Sequence, residues 1–292
     1  MNGRSAGHAC FPVQGAQTGK ELIHVDCASH VYPDGSVGIH QMCFRVLERE
    51  IVALCGRNGA GKSTLIEHLN GLLRPSDGKI VVNGRQIGTG QAAGLWKDVG
   101  IVFQCSDDQL FAPTVLDDVM FGPLNLGMTV DQARDAAVAA LSDVGAEGLT
   151  ARLPGYLSGG EKRLVSIAGI LAMHPKIIAF DEPTSDLDPA HSRIIEGLIR
   201  KLRDIHGISI VLATHDLDLA ARLADRVCLV SKGSICAEGS PGEIFYNDEL
   251  VASAGLLVPE VVRIYRSYCE RTGRPADKKP LTVDQLIDAL RT

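Results

Sequence analysis

The chain has 292 residues, 45% apolar and 22% charged, which is enough for a proper core in one large domain or two of about 150 residues. Its net charge of −6, from 29 Lys and Arg against 35 Asp and Glu, lacks the basic excess of a protein built to coat nucleic acid. No apolar run approaches the roughly 18 residues of a membrane-spanning helix, and the opening "MNGRSAGHACFPVQGAQTGKE" has no apolar stretch of the signal-peptide kind.

Residues 1–20 read as a flexible tail, and "ELIHVDCASHVY" after them reads as a strand. His24, Cys27 and His30 have an inviting spacing for a metal, but alternation along a strand puts Cys27 on the face opposite the two histidines. No transition-metal site is expected there. The eight cysteines (10, 27, 43, 55, 105, 228, 236 and 269) include no CxxC pair. They read as reduced thiols of a cytosolic chain, several of them buried as small hydrophobes.

"EIVALCGRNGAGKSTLIEHLNGLL" runs from apolar strand through glycine loop to helix. Gly56, Gly59 and Gly61 let backbone wrap an anion, Lys62 reaches the terminal phosphates, and Ser63 offers a hydroxyl to Mg²⁺. The helix that follows points its positive end at the phosphates. Leu65, Ile66, Leu69, Leu72 and Leu73 give it an apolar face.

"VGIVFQ" is a strand ending at Gln104, and "TVDQ" at 129–132 is a capping box opening a helix. "KIIAFDEPTSDLDP" is a buried strand ending in acids: Asp181 at the tip to hold Mg²⁺, Glu182 beside it to act on an attacking water. "ISIVLATH" is a strand followed by His215. Ligands of open α/β sheets sit beyond the carboxyl ends of the strands, which is where Gln104, Asp181 and His215 fall. "YLSGGEKR" at 156–163 is a second glycine-led helix start. Past residue 240, Val261, Val262, Ile264, Tyr265 and Tyr268 recur at helical spacing, and Thr282 with Gln285 forms a further capping box. Cys55 and Cys105 flank the phosphate site, so oxidation at either is expected to inhibit it.

Taken in order, the loop 56–64, Gln104, "LSGGE", "FDE", "SDLD" and His215 resemble the ATP-binding-cassette family over about residues 20–240. The resemblance implies an α/β fold: a P-loop NTPase core with an antiparallel β subdomain and an α-helical signature subdomain at about 112–170. It implies a tail at 1–20, an ATPase domain at 21–240 and a helical extension at 241–292. It implies that Tyr32 stacks on adenine and that Gly56, Arg57, Asn58, Gly59, Ala60, Gly61, Lys62, Ser63 and Thr64 bind the ATP phosphates. Ser63, Gln104 and Asp181 would hold Mg²⁺. Glu182 would be the general base, His215 would contact the γ-phosphate, and Gln104 would sense Mg²⁺ and water. Ser158, Gly159, Gly160 and Glu161 would reach the ATP of a second cassette, a further copy of this chain rather than a paralogue, with Asp188 coupling the two sites. Asp186 stands where a small residue is expected.

Four stretches resemble the ATPases of energy-coupling-factor importers, especially the cobalt/nickel type: "YPDGSVGIH", "EHLNGLLRPSDG", "QCSDDQLFAPTVLDDVMFGPLNLG" and "LSGGEKRLVSIAGILAMHP". "CS" at 105–106 departs from the Asn-Pro common there. This implies transport-coupled ATP hydrolysis, with a transmembrane coupling protein and a membrane-embedded substrate-binding protein as partners, and a place on the cytoplasmic face of the membrane. Leu110, Phe111, Met120 and Phe121, set among Asp107, Asp108, Asp117 and Asp118, would dock a basic coupling helix, while Val115, Val119 and Leu116 belong to the core. The rival readings are a shared ATPase of vitamin importers and a soluble cassette protein of translation or DNA maintenance. The latter lacks its usual second cassette or long insertions here, and the acidic balance disfavours nucleic acid.

Overall fold

The computed structural model describes residues 19–87 and 94–291. The tail and Cys10 therefore lie outside the described residues, save for its last two positions. The chain order is β1 (Glu21–Val31), β2 (Val37–Leu47), β3 (Ile51–Cys55), α1 (Lys62–Asn70), β4 (Asp77–Val82), β5 (Arg85–Ile87), β6 (Val99–Val102), α2 (Val115–Asn125), α3 (Val130–Asp143) and α4 (Gly159–Leu171). It continues with β7 (Ile177–Asp181), α5 (Pro189–Asp204), β8 (Ser209–Thr214), α6 (Leu217–Leu223), β9 (Arg226–Ser231), β10 (Ser234–Gly239), α7 (Pro241–Ile244), α8 (Asp248–Ser253), α9 (Glu260–Thr272) and α10 (Val283–Arg291).

Two sheets frame the molecule. One is antiparallel, in the order β2-β1-β4-β5, and the other runs β10-β9-β3-β8-β7-β6. In the second, β9, β3, β8, β7 and β6 are parallel and β10 closes the edge antiparallel to β9. Apolar runs such as Ile51–Cys55 and Ile177–Asp181 are buried along their whole length, as strands covered on both faces must be. The parallel register sets Cys55 beside Thr214 and Asp181 beside Ala213, so β3, β8 and β7 end together.

α1 lies between the sheets. Leu65, Ile66 and Leu69 pack in one cluster with Ile23, Val25, Phe44 and Ile80 of the antiparallel sheet and Leu54 and Val211 of the other. A second cluster joins α2, α3 and α4 to the opposite side of the parallel sheet through Val119, Leu141, Ile167, Ile178, Phe180 and Leu212. Phe180 is fully buried, and truncating it to Ala costs about 3–5 kcal/mol.

Local signals hold as read: Thr129 and Gln132 cap α3 reciprocally, and the Gln285 side chain accepts from the backbone N–H of Thr282 while Thr282 accepts from that of Gln285. Arg226 ties β9 to the turn before β3 through a buried ion pair with Glu50, 2.6 Å away, and reaches Glu238 at 2.9 Å. Burial alone would lower the guanidinium's pKa; the bonds to Glu50 and the neighbouring negative charges raise it. The apolar face of α9 turns inward: Val262 joins a core with Phe245, and Val261, Tyr265 and Cys269 pack on Leu286 of α10. Ile264, read as part of that face, is exposed. Among the described residues no helix is long and apolar enough to cross a membrane.

Candidate active site

The strand ends bring one constellation together. Glu182 follows β7 with φ 46°, a left-handed backbone that glutamate rarely adopts. Its Oε1 lies 3.3 Å from Lys62 Nζ and 3.0 Å from His215 Nδ1 without a well-aligned hydrogen bond. Its Oε2 accepts from the Thr214 hydroxyl at 3.2 Å and the His215 backbone N–H at 3.4 Å. Lys62, buried, donates to the carbonyls of Gly56 (2.7 Å) and Arg57 (3.3 Å) in its own loop. Lysine, glutamate and histidine thus share one charged centre at the mouth of the phosphate loop.

Asp181 is buried at the tip of β7. Burial pushes its carboxyl above the usual range, while a bond from Ser63 opposes that shift. α1 starts without a side-chain cap, its N-cap being Gly61, and no acid stands in its first turn. Its leading N–H groups are left to an anion. Tyr32 sits over this start, its hydroxyl 2.9 Å from Thr64 Oγ1 and its ring edge-on to His30.

Gln104 lies two residues past the end of β6, where a strand end was expected, and is exposed. The loop it begins is held by two residues that sequence reasoning missed. Arg163, buried in α4, donates to the carbonyls of Phe103 and Gln104. Gln109 accepts from Phe103 N–H and donates to the Ile101 carbonyl, both at 3.3 Å. Burial lowers the Arg163 pKa, partly offset by nearby negative groups.

The second glycine-led start belongs to α4. Ser158 accepts from Glu161 N–H, and the Glu161 carboxylate takes Ser158 N–H at 2.7 Å and Arg152 at 2.9 Å. The backbone bond from Ser158 holds that carboxyl below its ordinary range. Asp188 caps α5 through the N–H groups of Ala190 and His191, and its other oxygen meets His191 Nδ1 at 2.5 Å. The bond from His191 N–H lowers its pKa first of all. The His191 ring then lies on Gly160, where a Cβ would stand 2.1 Å from the ring. Asp186, in the loop between, has φ 60°, a conformation Asp tolerates better than most.

Two expectations need correction. Cys55 is fully buried beside the loop and its thiol is pushed up by burial, so it is no oxidation target; Cys105 is exposed. The acids after Gln104 are mostly engaged internally. Asp107 pairs with Lys162 at 2.5 Å, Asp117 takes the Thr114 hydroxyl, and buried Asp118 takes the N–H groups of Phe111 and Ala112. Met120 is in the core, while Phe111 is 66% exposed, stacked edge-on to Phe121. Asp107, Asp108 and Asp117 stay exposed, so acids still flank the apolar patch. His24, Cys27 and His30 diverge: His24 pairs with Glu21, His30 bonds the Arg74 carbonyl, and Cys27 faces Cys43.

Residues 39–185 match the ABC transporter family. Over 273 residues the chain is 43% identical to the energy-coupling factor transporter ATP-binding protein EcfA of Methanothermobacter thermautotrophicus, covering 92% of this chain and 86% of that protein. It is 45% identical to the protein of the same name from Methanococcus maripaludis, covering 80% of this chain and 84% of that one. The solved structure of cbiO1 from Clostridium perfringens, described as part of the ABC transporter complex cbiONQ, matches with TM-score 0.72 and 34% identity, over 84% of this chain and 99% of that one. A cassette described as a dimer in a post-hydrolysis state, bound to ADP and Pi, matches with TM-score 0.68 and 26% identity, over 75% of this chain and 99% of that one. The chain belongs to the ABC transporter ATPases, and within them to the energy-coupling-factor type. It binds ATP and hydrolyses it.

Proposed function

We propose that this chain is the ATPase subunit of an energy-coupling-factor importer that powers uptake of cobalt or nickel ions, working as a pair of identical cassettes on the cytoplasmic face of the membrane. The observation that carries the importer reading is a groove of about 430 Å³ beside the Gln104 loop, lined by Trp96, Phe103, Phe111, Phe121, Ile170 and Met173. It lies between that loop, α2 and α4, so whatever docks there feels both the nucleotide loop and the signature helix. An apolar helix of a transmembrane coupling protein suits it. The metal cargo rests on the four stretches that resemble cobalt/nickel cassettes.

Within the site, Lys62 exchanges its loop carbonyls for the β- and γ-phosphates, and the free N–H groups at the start of α1 bind the same charge. Asp181 and Ser63 fit Mg²⁺, a carboxylate and a hydroxyl bonded to each other beside the phosphate loop, with Gln104 in the loop after β6. Mg²⁺ bound there neutralises charge on the phosphate oxygens. Glu182 takes the proton of the attacking water, and His215, against its carboxylate, contacts the γ-phosphate. The N–H groups of Gly159 and Gly160 and the Ser158 hydroxyl complete the partner's ATP site, and Asp188, capping α5 beneath them, links the two sites. The Glu161 carboxylate serves by holding this helix start in shape. Tyr32 releases Thr64 and stacks on adenine.

The test is cobalt and nickel accumulation in cells lacking the chain, restored with wild type or with Glu182→Gln. Uptake of one ion restored by wild type alone names the cargo. Unchanged metal uptake removes the metal reading and leaves the shared vitamin ATPase.

A further inference from the structure

The structure assigns a site for a thiophilic divalent cation to Asp26, Cys27 and Cys43, on the antiparallel sheet and apart from the nucleotide. The two sulfurs lie 3.5 Å apart across β1 and β2. The Asp26 carboxylate joins them, with the three ligand atoms all within 4.8 Å of one another and all three residues half-buried.

Regular strands do not bring neighbours such as Asp26 and Cys27 to one point, because successive side chains face opposite sides. Here a bulge does so. The pairing of β1 with β2 slips between Val25 and Ala28, and Cys27 takes φ 49°. The pairing with β4 slips in step, between Asp26 and Ser29. Gly78 makes room on that side: its φ is 84°, and a Cβ there would stand 2.4 Å from the Cys27 carbonyl oxygen. Three segments are thus shaped around the two residues that bulge.

Distance and ligand chemistry select the occupant. Two thiolates at about 2.3 Å from a tetrahedral zinc-like ion are about 3.8 Å apart, close to the observed spacing. A disulfide bond needs about 2.05 Å, much less. Two sulfurs and one carboxylate suit Zn²⁺ or Co²⁺ and are poor ligands for Mg²⁺ or Ca²⁺. Three protein ligands leave the fourth position to water. Each thiol gives up its proton as its sulfur binds, so one cation displaces about two protons and affinity rises with pH.

The full chain, reduced with a phosphine, is titrated with Co²⁺ alone, following thiolate-to-cobalt charge-transfer absorption and proton release. One equivalent of cobalt and about two protons per chain are expected. Cys27→Ser with Cys43→Ser abolishes the band. Asp26→Asn and the single Cys43→Ala, milder changes that test the site if the double variant fails to fold, weaken cobalt at least about tenfold. Cys105→Ser with Cys236→Ser leaves the band intact. A band that survives loss of Cys27 and Cys43 overturns the site, as does no thiolate band in the wild type. Oxidation of the pair to a disulfide with no cobalt uptake in its reduced form also overturns it.

Discussion

The two glycine-led helix starts differ in what completes them. α1 begins at Gly61 with no side-chain cap and no acid in its first turn, beside a buried lysine and glutamate and an exposed histidine. α4 begins with a full capping box, Ser158 and Glu161 satisfying each other, and its near neighbours are His191 and Leu187. One start leaves its N–H groups uncapped and stands beside the groups proposed as catalytic. The other is stable alone and offers only the donors its cap leaves over. Equal glycine content therefore hides unequal chemistry: in the proposed function the first is a site and the second half of one.

The comparison breaks most sharply at Glu182. Glu182→Gln, measured by steady-state ATPase, should lose about 10²–10⁴-fold in rate. Gel filtration should then show an ATP-dependent dimer; an ATP-loaded variant that stays monomeric contradicts the two-cassette reading. Gly160→Ala tests the second start. The new methyl meets the His191 ring, and urea denaturation should show a loss of about 1–3 kcal/mol, relieved in a His191→Ala background. Equal destabilisation in both backgrounds would mean that the ring is not the obstacle.

Arg163→Ala probes the bond between α4 and the Gln104 loop. It leaves two carbonyls without their donor, at about 1–3 kcal/mol, and should lower ATPase activity beyond what the stability loss explains. The smallest effect is with pH. α1 hides His68, whose pKa burial depresses below the ordinary 6.5, while α4 has no histidine. Below pH 6.5 the unfolded chain takes up a proton that the folded chain refuses. Its contribution to stability is therefore full above that pH and lost as pH falls, by at most about 1.4 kcal/mol per unit. Denaturation midpoints from pH 7.5 to 5.5 should fall less steeply for His68→Gln than for wild type; identical slopes contradict the assignment.

Much of this was legible in the chain because the signals are local. The strand–loop–helix around Lys62, the acids after Phe180, His215 after its strand and the capping boxes depend on neighbours within a few residues. Strand alternation failed at Cys27, where a bulge reset the faces, and no residue of β1 announces a glycine at position 78. The docking surface misled for a related reason. Asp107, Asp117 and Asp118 look like free charge in sequence, but their partners are Lys162, far along the chain, a hydroxyl and backbone N–H groups. Arg163 was missed because a basic residue in an exposed-looking motif gives no sign that its helix turns it inward.

The sequence by itself singled out the residues proposed for phosphate chemistry and their order, since loop backbone, cation and carboxylate must stand at set spacings. Only the tertiary structure decided which of them touch. Parallel register aligns the ends of β3, β7 and β8 and so gathers Lys62, Glu182 and His215. Packing of α5 on α4 decides why Gly160 admits no side chain, and a bulge decides that Cys27 meets Cys43. Such contacts join residues distant in the chain, and they exist only once the sheets have paired.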